Sequence, residues 1–265
     1  MQKYVNADLK TLYKWLLANK ISLNCDKTEV IFFHKPGFKV PNIKIKMNGI
    51  KIFPSNHIKY LGLHLDETLN GSFHCDILAK TLKRGNVMLA IARHYISKDD
   101  LKSLYFAIFS SYLTYGSQIW GQVCNSFNNR IFKLQDRALR IISFSDLRAD
   151  ETPIYRDLKI LKLDDHIVLQ NCLFAHDALH HVSPICFHDY FKYSREVHSL
   201  QTRTYSTDSL FVQHSGTIRY GINSITSKCV SKWNHLTSVL KCSLYSISRF
   251  KLKKVIQHHL LESYN

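Results

Sequence analysis

Between Ile43 and Leu65 apolar residues recur at every second position, and from Ser72 onward they recur at every third and fourth. A period of two belongs to pleated strands and one near 3.6 to helices, so a chain carrying both in succession is constrained to an α+β fold with its strands gathered early. Ile43, Ile45 and Met47 alternate with polar residues, Asn48-Gly49 interrupts, and Ile50 and Ile52 resume the alternation. Asn-Gly between alternating runs is a strong hairpin signal. Leu61, Leu63 and Leu65 predict a further strand, with Lys59 to Leu65 lying next to that hairpin. Ahead of it, Ile21 to Leu23 reads as extended, and Val30 to Phe33 is a continuous apolar run suited to an interior strand. Leu9, Leu12, Tyr13, Leu16 and Leu17 form the stripe of an amphipathic helix that stops near Asn19.

The later repeats predict a succession of helices. One covers roughly Cys75 to Tyr95, with Leu78, Leu82 and Leu89 on one face. Ser97 with Asp100 resembles a capping box for a helix from Leu101 to Trp120, striped by Leu101, Leu104, Tyr105, Ile108, Phe109, Tyr112 and Leu113, with Gly116 as a stop. A helix from about Ser126 to Ser143 would bury Phe127, Ile131, Leu134, Ala138 and Ile141. Thr152-Pro153 starts another, since proline is tolerated at a first helical position. Asp164 is expected to cap a long helix to His180. Periodicity fades from Pro184 to Gly221, where irregular structure with one short hairpin is expected. It returns with Ile225, Cys229, Val230, Trp233 and Leu236, and in a last helix that turns Ile247, Phe250, Val255, Ile256 and Leu260 inward. The expected domains are residues 1–70, 71–145 and 146–265, the last with an irregular stretch near 185–221.

The chain of 265 residues is long enough to bury a sizeable core. Its 36 Lys and Arg against 20 Asp and Glu leave a net charge of +16, an excess that favours polyanions. A basic surface is also compatible with simple solvation. Seven cysteines, an odd number without a Cys-x-x-Cys pair, imply reduced thiols in an intracellular compartment, nucleus or cytoplasm. The most apolar helix is interrupted by Lys102, Ser103, Ser110, Ser111, Thr114 and Gln118, which argues against a membrane span.

Several short motifs then fall in one order. Trp15 sits in the first helix, Leu23-Asn24 leads to Lys27-Thr28, and Lys59-Tyr60-Leu61-Gly62 follows about thirty residues later. Leu104-Tyr105, Tyr115-Gly116 to Trp120-Gly121, Leu134-Gln135 to Arg140, Lys232-Trp233-Asn234 and Phe250 to Lys253 complete the series. In this register the chain resembles the C-terminal part of a LINE-type, jockey-like non-LTR retrotransposon reverse transcriptase: the end of the palm, the thumb and a helical tail. The match is weakest between Cys186 and Gly221.

The resemblance implies a nucleic-acid partner, whether RNA template, DNA primer or hybrid, and further contacts with upstream polymerase and endonuclease domains. It implies Mg²⁺ for an intact enzyme of the family and no cofactor for this chain alone. An aromatic-x-Asp-Asp turn, expected in the family before the Trp15 helix, does not occur here. The pairs Asp99-Asp100 and Asp164-Asp165 lie downstream and precede helical stripes, which predicts helix capping. The chain alone is therefore expected to lack polymerase activity. Lys27 falls where such enzymes place an accessory general acid for departing pyrophosphate, and it equally fits a lysine facing water at a strand start. Lys59, Tyr60, Leu61 and Gly62 resemble a primer grip, where Gly62 marks either close backbone approach or a bulge. In the thumb, Lys80, Lys83 and Arg84, together with Arg130, Lys133, Arg137 and Arg140, are the candidate phosphate contacts. Cys172, His176, His180, Cys186 and His188 match no zinc spacing and are expected to pack rather than to bind metal. A different reading of the same residues is a retrotransposon-derived helical protein-interaction module whose basic faces are only solvated.

Overall fold

A computed structural model describes residues 2–24, 27–122, 125–146, 148–197, 208–213, 216–217 and 221–264, without the side chains of 125–128. It is α+β, as the two periods require, and divides into two compact units, Met1–His74 and Cys75–Asn265.

In the first unit, helix α1 (Gln2–Ala18) ends as expected before Asn19 and lies on the hairpin formed by β1 (Ile45–Met47) and β2 (Ile50–Ile52). The strands pair antiparallel, Ile45 with Ile52 and Met47 with Ile50. Asn48 and Gly49 both have positive φ, 49° and 80°, the type I′ geometry that a two-residue hairpin selects. Ile45, Met47 and Ile52 form a small core, against which Val5, Leu9, Tyr13 and Leu16 of α1 pack. Leu12 and Leu17, expected on the buried stripe, are 46% and 57% exposed, because so narrow a sheet covers only one row of the helix.

Val30 to Phe33 is not an interior strand: Val30 makes a single isolated bridge with Pro54, and Phe33 is exposed. An interior strand needs a paired strand on each side, and beyond that one bridge no strand pairs with this run among the described residues. Lys59 to Leu65 is not one strand beside the first hairpin. It is broken into β3 (His57–Tyr60) and β4 (Leu63–Asp66), which pair with each other as a second two-stranded sheet. The break is a second I′-type turn, with Leu61 at φ 45° and Gly62 at φ 84°. Asp66 then organises the following loop, its carboxylate accepting from the amides of Thr68, Asn70 and Gly71 and from the Thr68 hydroxyl at 2.8–3.2 Å.

The second unit is helical. Helix α2 (Ser72–Ala92), whose first turn contains the division between units, buries Leu78, Leu82 and Leu89 as predicted. Ser97 caps α3 (Lys98–Tyr105) by accepting from the Asp100 amide, while its hydroxyl donates to the Asp100 carboxylate at 2.7 Å. The expected helix to Trp120 is interrupted. Phe106–Ser110 is a π-helical segment, followed by α4 (Ser111–Thr114) and, beyond Gly116, α5 (Ser117–Trp120). The buried residues explain this: Leu101, Tyr105, Phe109 and Leu113 stand four apart without a single step of three. At 100° per residue an α-helix would carry Leu113 about 120° round from Leu101, and a π turn, which takes up an extra residue, brings it back to one face.

Helix α6 (Asn125–Ile142) buries Ile131, Leu134, Ala138 and Ile141 as the stripe predicts, with Leu139 and Ile142 in addition. The Phe127 side chain lies outside the described residues. Asp150 caps α7 (Glu151–Leu158), so Pro153 takes the third helical position and not the first, still within the turn whose amides need no partner. Helix α8 (Leu163–Leu179) starts after Lys162, and Asp164 does not cap it; both acids sit in its first turn. A 3₁₀ segment Ile185–Tyr190, the short α9 (Ser194–Val197) and an antiparallel bridge from Tyr193 to Leu210 occupy the described part of the irregular stretch. Helices α10 (Ile225–Leu240) and α11 (Arg249–Glu262) pack on α8 around Trp233, Leu252 and Ile256. Phe250 is 69% exposed, carrying the Lys254 ammonium 4.4 Å from its ring centroid, and Leu252 takes the inward place instead.

Candidate nucleic-acid interface

Lys27 is exposed, and its motif is a turn: Asn24 accepts from the Lys27 amide at 3.1 Å through its side chain and from the Thr28 hydroxyl at 2.8 Å through its carbonyl. This local bonding accounts for the spacing of Asn24, Lys27 and Thr28 before any role of the ammonium is invoked. Lys59 and Tyr60 end β3, and Leu61 and Gly62 form the tip of the hairpin, where Tyr60 and Leu61 are 60% and 73% exposed. Gly62 thus marks a tight turn, an alternative to both bulge and close approach. Behind the hairpin, the His64 amide donates to Nδ1 of His74, and burial lowers the pKa of His74 to about 4, so this imidazole is neutral at physiological pH.

In the helical unit, Lys80, Lys83 and Arg84 project from one exposed face of α2, and Lys133 and Arg137 from α6. None of the five pairs with an acid among the described residues. Arg130 donates to Asp76 at 2.6 Å, linking α6 to α2. Asp76 lies one turn before Lys80, so this bond ties the start of α6 to the α2 turn that precedes its cations. Arg140 does not join them: half-buried, it donates to the Ala149 carbonyl at 2.9 Å and to Glu151 at 2.8 Å. The two helices are held by a bond that the sequence did not disclose, from the Asn86 amide to the Leu134 carbonyl at 3.0 Å.

Motif residues that serve only as order markers in the sequence meet in the interior. Buried Gln135 donates to the Tyr105 hydroxyl and the Leu161 carbonyl and accepts from the Leu163 amide, each at 3.0 Å. Gly121 packs so closely that an added Cβ would lie 2.4 Å from the Ser117 carbonyl and 2.6 Å from Ile167 of α8. Trp233 donates to the Asp208 carbonyl, and Asn234 both donates to and accepts from the Leu210 backbone, which pins the 208–210 segment to α10. An isolated tryptophan or asparagine in sequence carries no sign of such a partner.

A two-metal centre needs carboxylates free to bridge both ions, and one carboxylate of each Asp-Asp pair is otherwise engaged. Asp100 is engaged by Ser97 in its cap. Asp165 accepts from the Tyr264 hydroxyl, and burial raises the pKa of Asp164 and Asp165 in the first turn of α8. The two histidines at the C-terminal end of α8 are also engaged: Nε2 of His176 contacts the Ile247 carbonyl at 3.0 Å and Nε2 of His180, the C-cap, the Tyr245 carbonyl at 2.9 Å. His180 stacks on Tyr245 at 4.2 Å, while Cys172 is buried and its thiol pushed up to about 12. No helix among the described residues is long and apolar enough to cross a membrane.

Neither a family model nor a solved structure matches the chain. Curated relatives do. The chain is 29% identical over 171 residues to the RNA-directed DNA polymerase from mobile element jockey of Drosophila funebris, covering 63% of this chain and 18% of that protein. It is 29% identical over 170 residues to the jockey polymerase of Drosophila melanogaster, covering 63% and 18%. With the probable RNA-directed DNA polymerase from transposon X-element of Drosophila melanogaster it shares 27% identity over 162 residues, 58% of this chain and 17% of the relative. The matched region thus spans under one fifth of the length of each of these relatives. Over about 60% of its length the chain accordingly resembles the RNA-directed DNA polymerases of jockey-like non-LTR retrotransposons.

Proposed function

We propose that this chain is the C-terminal piece of such a polymerase, binding template-primer without the catalytic carboxylates. The observation that carries the reading is the adjoining pair of basic rows, Lys80, Lys83 and Arg84 on α2 with Lys133 and Arg137 on α6, exposed and unpaired with acids among the described residues. Phosphates are the partners such rows suit, because each neutralised phosphate releases counterions. Residues 1–74 then correspond to the end of a palm. Their small core and the exposed Trp15, Phe33, Phe53 and Leu61 support a role as part of a larger sheet that further chain would complete. Lys27 is left as an accessory general acid for the intact enzyme.

A second reading, a helical protein-interaction module, is favoured by Val87, Met88 and Ile91, which are exposed on α2 just beyond its cations. Filter binding of the whole chain to a primed RNA template across a salt series separates the two. Template binding predicts a log affinity that falls linearly with log salt, by about 0.9 per neutralised duplex phosphate. Absence of binding, or binding insensitive to salt, favours the interaction module. With Mg²⁺ and nucleotides the same sample is expected to extend no primer.

A further inference from the structure

The π-helical segment Phe106–Ser110 forms one wall of a cleft of about 440 Å³ within the helical unit. The α7–α8 link contributes Lys159, α8 contributes His166 and Gln170, and α11 contributes Lys253 and Gln257. The volume falls in the range that small-molecule sites occupy, and the lining is about evenly polar and apolar, more polar than is usual for such sites. No carboxylate is among the described lining residues, so the two lysines make the cleft electropositive. Lys159 is fixed outside the helix as the left-handed C-cap of α7, and neither lysine has an acidic partner among the described residues. Gln170 and Gln257 each bring an amide that both donates and accepts, the pattern that matches the edge of a heterocycle. Phe106 is 47% exposed and offers an aromatic surface at the mouth. His166 lines the same cleft with its Nε2 buried and without a hydrogen-bond partner among the described residues.

We propose that this cleft binds a single nucleotide, with the phosphate at Lys159 and Lys253 and the base against Phe106 within reach of the Gln170 and Gln257 amides. The site goes beyond the duplex surface proposed above, because it takes one nucleotide by its base and phosphate together and not a track of phosphates. Burial, helped by the Lys253 charge, lowers the pKa of His166 to about 4, so its ring is neutral and has hydrogen-bonding capacity left for a ligand. The π turn has a place in this arrangement: the extra residue lets Phe109 remain in the core while Phe106 and Ser110 line the opening.

Titration calorimetry of the full chain with adenosine 5′-monophosphate tests the site, with adenosine, ribose 5-phosphate and inorganic phosphate as separate probes. The expected result is saturable one-to-one binding of the monophosphate, with each partial probe weaker by about tenfold or more. Lys159→Gln with Lys253→Gln, both at exposed positions, is expected to weaken the monophosphate by about tenfold while primed-template binding is kept. The His166 ring nitrogen signals of ¹⁵N-labelled protein are expected to shift on addition of the monophosphate. No binding up to about 10 mM, equal affinity for ribose 5-phosphate, or an unaltered double variant would overturn the proposal. So would joint loss of monophosphate and template binding, which would assign the two lysines to the duplex surface instead.

Discussion

Gln135 shows what a single side chain contributes to this molecule. Its amide ties α6 to α3 through the Tyr105 hydroxyl and to the start of α8 through Leu161 and Leu163, all in buried surroundings. Gln135→Leu keeps the volume but strands a hydroxyl, a carbonyl and an amide away from water. It should lower stability by about 2–4 kcal/mol, read from urea unfolding. His166 makes the chain sensitive to acid. Its pKa is lowered from 6.5 to about 4, so as pH falls the unfolded chain takes up the proton first; stability is full above 6.5 and lost on the way down to 4, by about 3 kcal/mol at most from this ring. His74 acts in the same direction. Asp136, Asp164 and Asp165, raised by burial, act in the opposite sense, stabilising the fold as acid protonates them in the carboxylate range. Thermal unfolding at pH 7 and pH 5 should therefore show a smaller acid loss for His166→Phe than for the natural chain, and equal losses would rule out this role for the ring. Neither role could be read from sequence, where Gln135 is a polar break in an apolar stripe and His166 a first-turn histidine; the partners of Gln135 and the Lys253 charge beside His166 are many residues away.

At the scale of elements, the sequence was legible wherever one period ran without interruption. The stripes of α2, α6 and α10 and the Asn48-Gly49 hairpin appear where they were expected. It was illegible where a single residue changes the geometry. Leu61-Gly62 reads as the middle of an alternating strand, and only the two positive φ values reveal a turn, since the Leu-x-Leu-x-Leu pattern is the same for both. The π segment is hidden in the same way, because a run containing Leu104, Ile108 and Tyr112 also satisfies a 3.6 period. Helix packing was foreseen least. Gly121→Ala places a Cβ against the Ser117 carbonyl and Ile167, so α5 must move off α8. The substitution should cost about 1–3 kcal/mol by chemical denaturation, despite alanine being the better helix former. A variant as stable as the natural chain would show that the corner is slack.

For the molecule as a whole, the two units differ in how much they bury. Within residues 75–265 a continuous core drawn from residues 161–260 includes Leu173, Trp233, Leu252 and Ile256, whereas residues 1–74 bury little beyond Ile45, Met47 and Ile52. The candidate interface was legible as a set of basic residues at helical spacing, and its membership was not. Spacing alone cannot distinguish Arg140, which holds the 149–151 turn, or Arg130, which holds Asp76, from Lys133 and Arg137, which hold nothing acidic among the described residues. The decisive measurement is the salt dependence of primed-template binding by a variant with Lys80, Lys83, Arg84, Lys133 and Arg137 all changed to Gln, after circular dichroism has shown that it folds. Binding should weaken, and the slope of log affinity against log salt should become shallower by about 0.9 for each phosphate no longer neutralised. A folded variant with unchanged affinity and unchanged slope would contradict the template-binding reading.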